Sequence, residues 1–295
     1  MTEPDISVVT PSYNQATYLR DNLDSIERQI YNNVEHIILD GGSTDGSQSI
    51  IEAYADRVPY DVIWRSEPDD GQSAAINEGF DRATGDIIAW LNSDDLYFDT
   101  TVFSRVAAWF GKSDVDVLYG DLAYVDEHSR VTEVDVRPKF DRAKLAHRIL
   151  IGQPATFFRQ EVLESERLDT DLEYCMDYEF WVRLSEKYDF EHVRDIFAGF
   201  RRHELQKTDN MGPVNEEAEL MLQNYSDQLP PTKNVYTTNA VTEARRLSAT
   251  LSESVRLTLN PPMLAFDGEI APLPELLTNV GPNVGDIQKV LRRVR

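Results

Sequence analysis

Ile87-Ile88-Ala89-Trp90-Leu91, followed directly by Asn92-Ser93-Asp94-Asp95, is the most informative stretch of the chain. A short apolar run after the turn Thr84-Gly85 reads as a buried strand. It ends in a polar step with two adjacent carboxylates, which repel one another unless a cation or donors lie between them. Magnesium and manganese prefer oxygen ligands, and magnesium is commonly held by one or two carboxylates plus substrate phosphates. The step therefore suits a metal–diphosphate. A solvated turn or a helix cap is the commoner use of two acids taken in isolation.

Working outward, strands and helices alternate. Ile6–Thr10 reads as a strand stopped by Pro11, and Thr17 as the cap of a helix carrying Leu19, Leu23, Ile26 and Ile30. Glu35–Asp40 is a strand broken by Gly41-Gly42, Ser47–Tyr54 a helix, Asp61–Arg65 a strand and Gln72–Ala83 a helix. Beyond Asp95, Thr100 or Thr101 caps a helix through Phe110, before the strand Val115–Tyr119. This alternation predicts an α/β fold, a mostly parallel central sheet with helices on both faces. Ligands of such sheets sit beyond the carboxyl ends of the strands. Pro11–Asn14, Asp40–Asp45 and Asn92–Asp95 each follow a predicted strand, so they are expected along one rim.

Past Arg137 the pattern loosens, with a strand at Phe157-Phe158, a helix at Tyr178–Glu186 and a strand at Phe190–Phe200. Asn215–Leu229 and Thr242–Thr258 read as amphipathic helices separated by Pro230-Pro231. The expected division is residues 1–208, in halves 1–122 and 123–208, plus a helical C-terminal extension, 209–295.

The formal charge of −23 over 295 residues argues against nucleic acid as a partner. One cysteine, Cys175, excludes an internal disulfide, no apolar run approaches the ~20 residues of a membrane span, and no signal peptide opens the chain. A cytoplasmic location is expected. The acidity also suits a salt-accumulating, halophilic host, because at ~1 M salt the Debye length shrinks to ~3 Å; an acidic surface kept for solubility is the plainer account. The basic tail Lys289–Arg295 is expected to touch an anionic membrane, or to pack on its own domain or on a second subunit in a homodimer.

The remaining clusters each carry two readings. Asp40–Ser47 lacks the ligand spacing of a calcium loop, the lysine of a P-loop and the dinucleotide fingerprint. Its glycines let the backbone approach a flat ligand, while Asp40 can accept from a base N–H; a strand–helix turn capped by Ser47 is the bland alternative. Tyr13 can stack on a nucleobase or simply pack over the sheet edge. Gln72, with the amides of its helix start, can face a diphosphate, against a cap from Asp69 or Asp70. Asp177 is a first-turn cap or a general base. His203 reaches a metal or diphosphate, or is one more surface histidine.

Together these residues resemble the family 2 glycosyltransferases, of the nucleotide-diphospho-sugar transferase (GT-A, Rossmann-like) fold. The resemblance rests on Val8–Asn14, Ile38–Ser47, Gly71–Gly79 and Asn92–Asp95, and extends through Gln153–Arg159 and Asp177–Leu184, covering about residues 5–208 in order. It implies a nucleotide-sugar-binding half, 1–122, and an acceptor half, 123–208. Pro11, Ser12, Tyr13 and Asp40 would hold the nucleoside, with Gln72, Asn92, Ser93 and Asp95 also on the donor. Asn92-Ser93-Asp94 matches the D-x-D motif with asparagine first, making Asp94 the main ligand of a divalent cation, Mn2+ or Mg2+, with His203 beside it. Asp177 matches the catalytic aspartate, although Met176 stands where the family carries an acid; Glu179 is the reserve. The implied reaction is inverting single displacement onto a hydroxyl of a glycan or lipid-linked acceptor. A sugar nucleotidyltransferase is disfavoured because Pro11–Asn14 lacks a glycine-rich basic signature. A non-catalytic nucleotide-sugar-binding subunit of an assembly complex is the remaining alternative.

Overall fold

The computed structural model describes residues 3–145, 149–204, 206–207, 211–225, 229 and 235–277, with the backbone alone at 235–245. In chain order the elements are β1 Ile6–Ser12, α1 Ala16–Glu27, β2 Val34–Asp40, α2 Ser47–Ala55, β3 Asp61–Ser66, α3 Gln72–Arg82, β4 Ile87–Trp90, β5 Leu96–Tyr97 and α4 Val102–Phe110. There follow β6 Val117–Val125, β7 Arg130–Asp135, α5 Arg142–Leu145, β8 Thr156–Arg159, α6 Met176–Leu184, β9 Phe190–Arg201, α7 Met211–Asn224, α8 Val235–Leu259, β10 Glu269–Ile270 and α9 Leu273–Leu276. The basic tail Lys289–Arg295 lies outside the described residues.

The sheet runs β10-β7-β6-β8-β4-β1-β2-β3, with β9 pairing β5 and β6 off that path. From β4 through β3 every pair is parallel. Beyond β4 the sheet is mixed, because β8 enters antiparallel to both β4 and β6. Alternation sends neighbouring side chains to opposite faces. Ile6 and Val8 of β1 join a core with Phe103 and Val106 of α4, while Val9 joins Ile76 and Phe80 of α3 and Trp181 of α6. Helices therefore cover both faces, an α/β architecture as expected. The packing also runs across residue 208: Val214 and Met221 of α7 share the core of α6, and Leu257 of α8 packs with strands β6, β7 and β9.

Several boundaries differ from the sequence reading for physical reasons. β1 continues through Pro11 and Ser12, which pair with Leu39 and Asp40 of β2. Proline is tolerated there because the β4 side of β1 is paired only as far as Val9. α1 begins after Gln15 rather than Thr17, and Ile30 lies beyond its end, exposed. β6 outruns Tyr119 to Val125 because the carboxylate of Asp121 is satisfied inside, by the His192 ring (2.7 Å) and the Arg137 N–H (2.8 Å). α7 starts at Met211 and stops at Asn224, short of Leu229. Among the described residues no helix is long and apolar enough to cross a membrane.

A buried polar chain links the first two strands to α2. The His36 ring bonds Thr10 Oγ1 (2.9 Å) and Tyr54 OH (2.9 Å), and Tyr54 OH meets Tyr60 OH (2.6 Å). Burial pushes the imidazole from its ordinary 6.5 down to about 3. In the window between those values the unfolded chain binds a proton that the folded chain refuses. Stability therefore rises with pH across the window and is lost on acidification through it. Urea unfolding at about pH 7 and about pH 5 should show a smaller pH-dependent loss in His36→Gln than in the parent; equal losses would remove His36 as the cause.

Candidate active site

The carboxyl ends of β4, β1 and β2 stand side by side, and strand order reverses at β1, which has β2 on one flank and β4 on the other. A topological switch point of this kind leaves a crevice between the diverging loops. The first two loops are stapled together. Gly41 N–H donates to Ser12 O (2.8 Å), Asn14 N–H to Ser43 Oγ (2.7 Å), Thr44 N–H to Asn14 Oδ1 (2.9 Å), and Ala16 N–H to Asp45 Oδ2 (2.8 Å). Asn14 has a positive φ of 53°, which asparagine tolerates better than most residues.

Pro11 and Ser12 are buried at the β1 end, and Tyr13 projects, 62% exposed, beside Gly41. A Cβ on Gly41 would come within 3.3 Å of the Tyr13 ring and 3.0 Å of Asp69 Oδ2, so glycine keeps this floor open. Ser12 Oγ is buried and has no partner among the described residues, a hydroxyl available to a ligand. Asp40 is fully buried. Its oxygens accept from Ser43 Oγ (2.5 Å), Ser43 N–H (2.9 Å) and Ser66 Oγ (2.5 Å), so in this structure it shapes the β2–α2 turn.

At the end of β4, Asn92 Oδ1 accepts from Gln72 Nε2 (3.0 Å), and Asn92 Nδ2 donates to Gln153 Oε1 (3.3 Å). Gln153 Nε2 in turn donates to Trp90 O (2.7 Å). Gln72 opens α3, whose N-cap is Gly71 (φ +104°); the expected acidic cap is instead a local bond from Gly71 N–H to Asp69 Oδ1 (3.0 Å). Ser93 is buried. Asp94 lies 3.1 Å from His203 Nε2, Oδ2 to ring nitrogen. The step is not a solvated turn: Asp95 is 2% exposed and accepts the Arg201 N–H (2.9 Å), and burial, then repulsion from Asp94, pushes its carboxyl well above the usual range. One carboxylate and one imidazole are suitable donors for Mn2+ or Mg2+. No third His, Cys, Asp or Glu joins them among the described residues, so further ligands would come from diphosphate or water.

Asp177 sits across the crevice on the first turn of α6. Ser73 Oγ of α3 donates to Met176 Sδ (2.7 Å), so the start of α3 touches Asn92 through Gln72 and the start of α6 through Ser73. Trp181 stacks on Trp90 at 5.7 Å, which docks α6 over the β4 end. The Asp177 carboxylate is half-accessible and accepts the Tyr178 N–H (2.8 Å). The surrounding burial outweighs that bond and the nearby Arg137, raising its pKa from 3.8 to about 6. Glu179 is not at the crevice; it is 4% exposed and held by Arg183 (2.8 and 2.9 Å) and Tyr225.

Three residues of this centre were not identified by sequence reasoning. Asn22, fully buried on α1, donates to Asn92 O and Asp95 O (both 2.9 Å), fixing the acidic turn. Arg201, its side chain without solvent exposure, donates to Asp94 O (2.9 Å), Asp126 O (2.9 Å), Ser129 Oγ (3.1 Å) and Asp21 Oδ2 (2.8 Å). Tyr18 lies between the Arg201 guanidinium (4.9 Å) and the His203 ring (4.6 Å). An asparagine within the apolar stripe of α1 was the one available signal. Nothing local distinguishes Arg201 from Arg202.

Residues 7–165, more than half of the chain, match the family described as glycosyl transferase family 2. An uncharacterized glycosyltransferase of Rickettsia typhi is 27% identical over 77% of this chain and 73% of its own length. The PGL/p-HBAD biosynthesis glycosyltransferase of Mycobacterium tuberculosis is 33% identical over 54% of this chain, and the match spans 61% of that relative. Among solved structures, the Pyrobaculum calidifontis mannosyltransferase PcManGT in complex with GDP-Man and Mn2+ superposes with a TM-score of 0.61 at 17% identity, covering 88% of this chain and 76% of that one. Staphylococcus aureus TarS 1-349 in complex with UDP-GlcNAc gives 0.61 at 17% identity, covering 87% and 76%.

The Arg201 network is open to a direct test. Arg201→Met removes a donor from Asp94 O, Asp126 O and the part-exposed Asp21 Oδ2, although the Ser129 N–H and Oγ still donate to the last two. The unfolding free energy should fall by about 1–3 kcal/mol, measured by denaturant titration; a change below about 0.5 kcal/mol would show that the network is not structural.

Proposed function

The chain belongs to glycosyl transferase family 2, and on that premise we propose that it is an inverting transferase moving a sugar from a nucleotide-diphospho-sugar to an acceptor hydroxyl. The observation that carries this reading is the meeting of Asp94 and His203 at 3.1 Å on the switch-point rim, although they stand far apart in sequence. The donor nucleoside lies over Gly41 against Tyr13, with Ser12 Oγ as a hydrogen-bonding group and Asp40 holding the turn beneath. Its diphosphate faces the start of α3 and the Gln72–Asn92–Gln153 amide chain. Asp94 and His203 would hold a divalent cation, Mn2+ or Mg2+, which when bound would supply positive charge against the leaving diphosphate. The Mn2+ and GDP-Man of the Pyrobaculum structure and the UDP-GlcNAc of TarS support this assignment of ligand classes.

Asp177 receives the proton of the acceptor hydroxyl, whose oxygen attacks the anomeric carbon from the face opposite the diphosphate. The bond to the diphosphate breaks as the new glycosidic bond forms, inverting the centre. A carboxylate raised to about 6 is a better base near neutrality than an ordinary one. The acceptor class is a glycan or a lipid-linked saccharide, the latter reached by a cytoplasmic enzyme at the membrane face. Asp95 contributes through the turn that presents Asp94.

Thermal stabilisation by UDP, GDP or dTDP with Mn2+ should be present in the parent and in Asp177→Asn, and weak in Asp94→Asn and His203→Ala. Asp177→Asn should lower kcat by about 10²–10⁴-fold while nucleotide binding persists. Because the group must be ionised to act, kcat should fall as pH drops through about 6. Full transfer activity in Asp177→Asn would remove it from the mechanism, and nucleotide binding without any turnover in the parent would overturn the transferase reading.

A further inference from the structure

The first turn of a helix carries N–H groups that its own backbone cannot satisfy. α6 starts at Met176, and its N-cap, Cys175, makes no side-chain capping bond. For the N-cap amide, and for the two amides that precede it, an acceptor comes instead from α7. Three successive amides, Glu173 N–H (2.8 Å), Tyr174 N–H (2.7 Å) and Cys175 N–H (2.6 Å), all donate to the carboxylate of Glu217. Consecutive amides converging on one anion form a strong electrostatic site, and negative charge at a helix start is further favoured by the helix dipole.

The rest of α7 is committed to the same partner. Cys175 Sγ donates to Val214 O (3.4 Å), Val214 and Met221 are buried in the core with Phe180 and Trp181, and Tyr225 OH donates to Glu179. Val214, Glu217, Met221 and Tyr225 recur at helical spacing, so they form one face of α7 turned to α6. Asp177 lies two residues beyond the clamped amides, and its carboxylate accepts from Tyr178 N–H. Without Glu217, the amides at 173–175 would need another acceptor; Asp171 and Asp177 are equally near in sequence, and Asp177 is the one on the helix itself. A bond in that direction would draw the Asp177 side chain back over the helix start.

We propose that Glu217 is a positioning residue for sugar transfer: it satisfies the amides at the mouth of α6 so that the Asp177 carboxylate stays turned to the crevice. This rests on the reading of Asp177 as the base. α7 then belongs to the catalytic apparatus, although it lies beyond the residues that match the family. No covalent step involves Glu217, and no contact between it and substrate is required.

The test uses the full-length protein with Glu217→Gln and Glu217→Ala, and Glu216→Ala as a neighbouring control. Three properties are read: amide exchange at 173–175, stabilisation by nucleotide and Mn2+, and kcat with the donor KM. Both Glu217 variants should exchange faster at 173–175, retain nucleotide stabilisation and donor KM within about twofold, and lose about tenfold or more in kcat. Alanine should be the more severe, because glutamine keeps one carbonyl acceptor. Unchanged kcat with faster exchange would make the clamp merely structural and overturn the proposal, as would parallel loss of nucleotide binding and kcat in both variants. Parent protein that binds nucleotide but transfers no sugar would instead remove the reading of Asp177, and this proposal with it.

Discussion

A guanidinium shut away from water must find acceptors for its N–H groups, and the way Arg201 does so organises the centre of the molecule. Its side chain has no solvent exposure, and its donors reach the acidic turn after β4, the β6–β7 turn and Asp21 of α1. Its own N–H closes the circuit on Asp95. Desolvating such a charge is costly, so the arrangement persists only while every acceptor is in place. The same circuit extends to the neighbouring histidine. Tyr18 contacts both the Arg201 guanidinium and the His203 ring, and His203 lies alongside Asp94.

The sheet supplies the platform for that circuit. β4, β1, β2 and β3 are parallel, so their carboxyl ends share one edge, and the change of direction at β1 opens the crevice there. The mixed half of the sheet does other work: β9 lies parallel to β6 and carries Arg201 to its place at the end of β4. Aromatic packing then sets the far wall, Trp181 of α6 stacking on Trp90 in the last position of β4. Both walls thus refer to one short strand, which is why the acidic turn after β4 and Asp177 are held in a common frame.

The first half of the fold was legible because its strands and helices are marked by local pattern. Short apolar runs marked β1 to β4 and period-3.6 apolar spacing marked the helices between them, with limits shifted by a few residues where pairing overruled a proline or a threonine. The rim was legible for the same reason, since polar clusters follow strands directly. Asn22, Arg201 and Glu217 were not, because each is defined by partners distant in sequence. Asn22 serves carbonyls at Asn92 and Asp95, and Glu217 serves amides at 173–175. No periodicity announces a side chain whose use is to satisfy another element's backbone. Asp40 shows the converse: its place on the rim was readable, while the three bonds that enclose it depend on Ser66 of the next strand as well as on its own loop.

Two pairs of closely spaced acids occur here, one after β4 and one on α6, and in each pair the fold withdraws one member from the crevice. Asp94 and Asp95 are adjacent, and burial together with repulsion from its neighbour holds the Asp95 carboxyl well above the usual range. Asp95 is withdrawn into the Arg201 circuit, and Asp94 is left 22% exposed beside His203. Asp177 and Glu179 lie on one turn of α6. Glu179 is withdrawn to Arg183, which also binds Glu166, and Asp177 is left half-accessible with its carboxyl raised by burial. For Asp95 the backbone N–H of Arg201 is the donor, and for Glu179 it is the guanidinium of Arg183 one turn along the same helix; each takes one acid and leaves the other nearer the crevice. Two separated carboxylates, one beside an imidazole and one raised by burial, are a different chemical surface from four acids in a cluster. The arginines therefore decide which carboxylates are available for chemistry, without themselves entering the crevice.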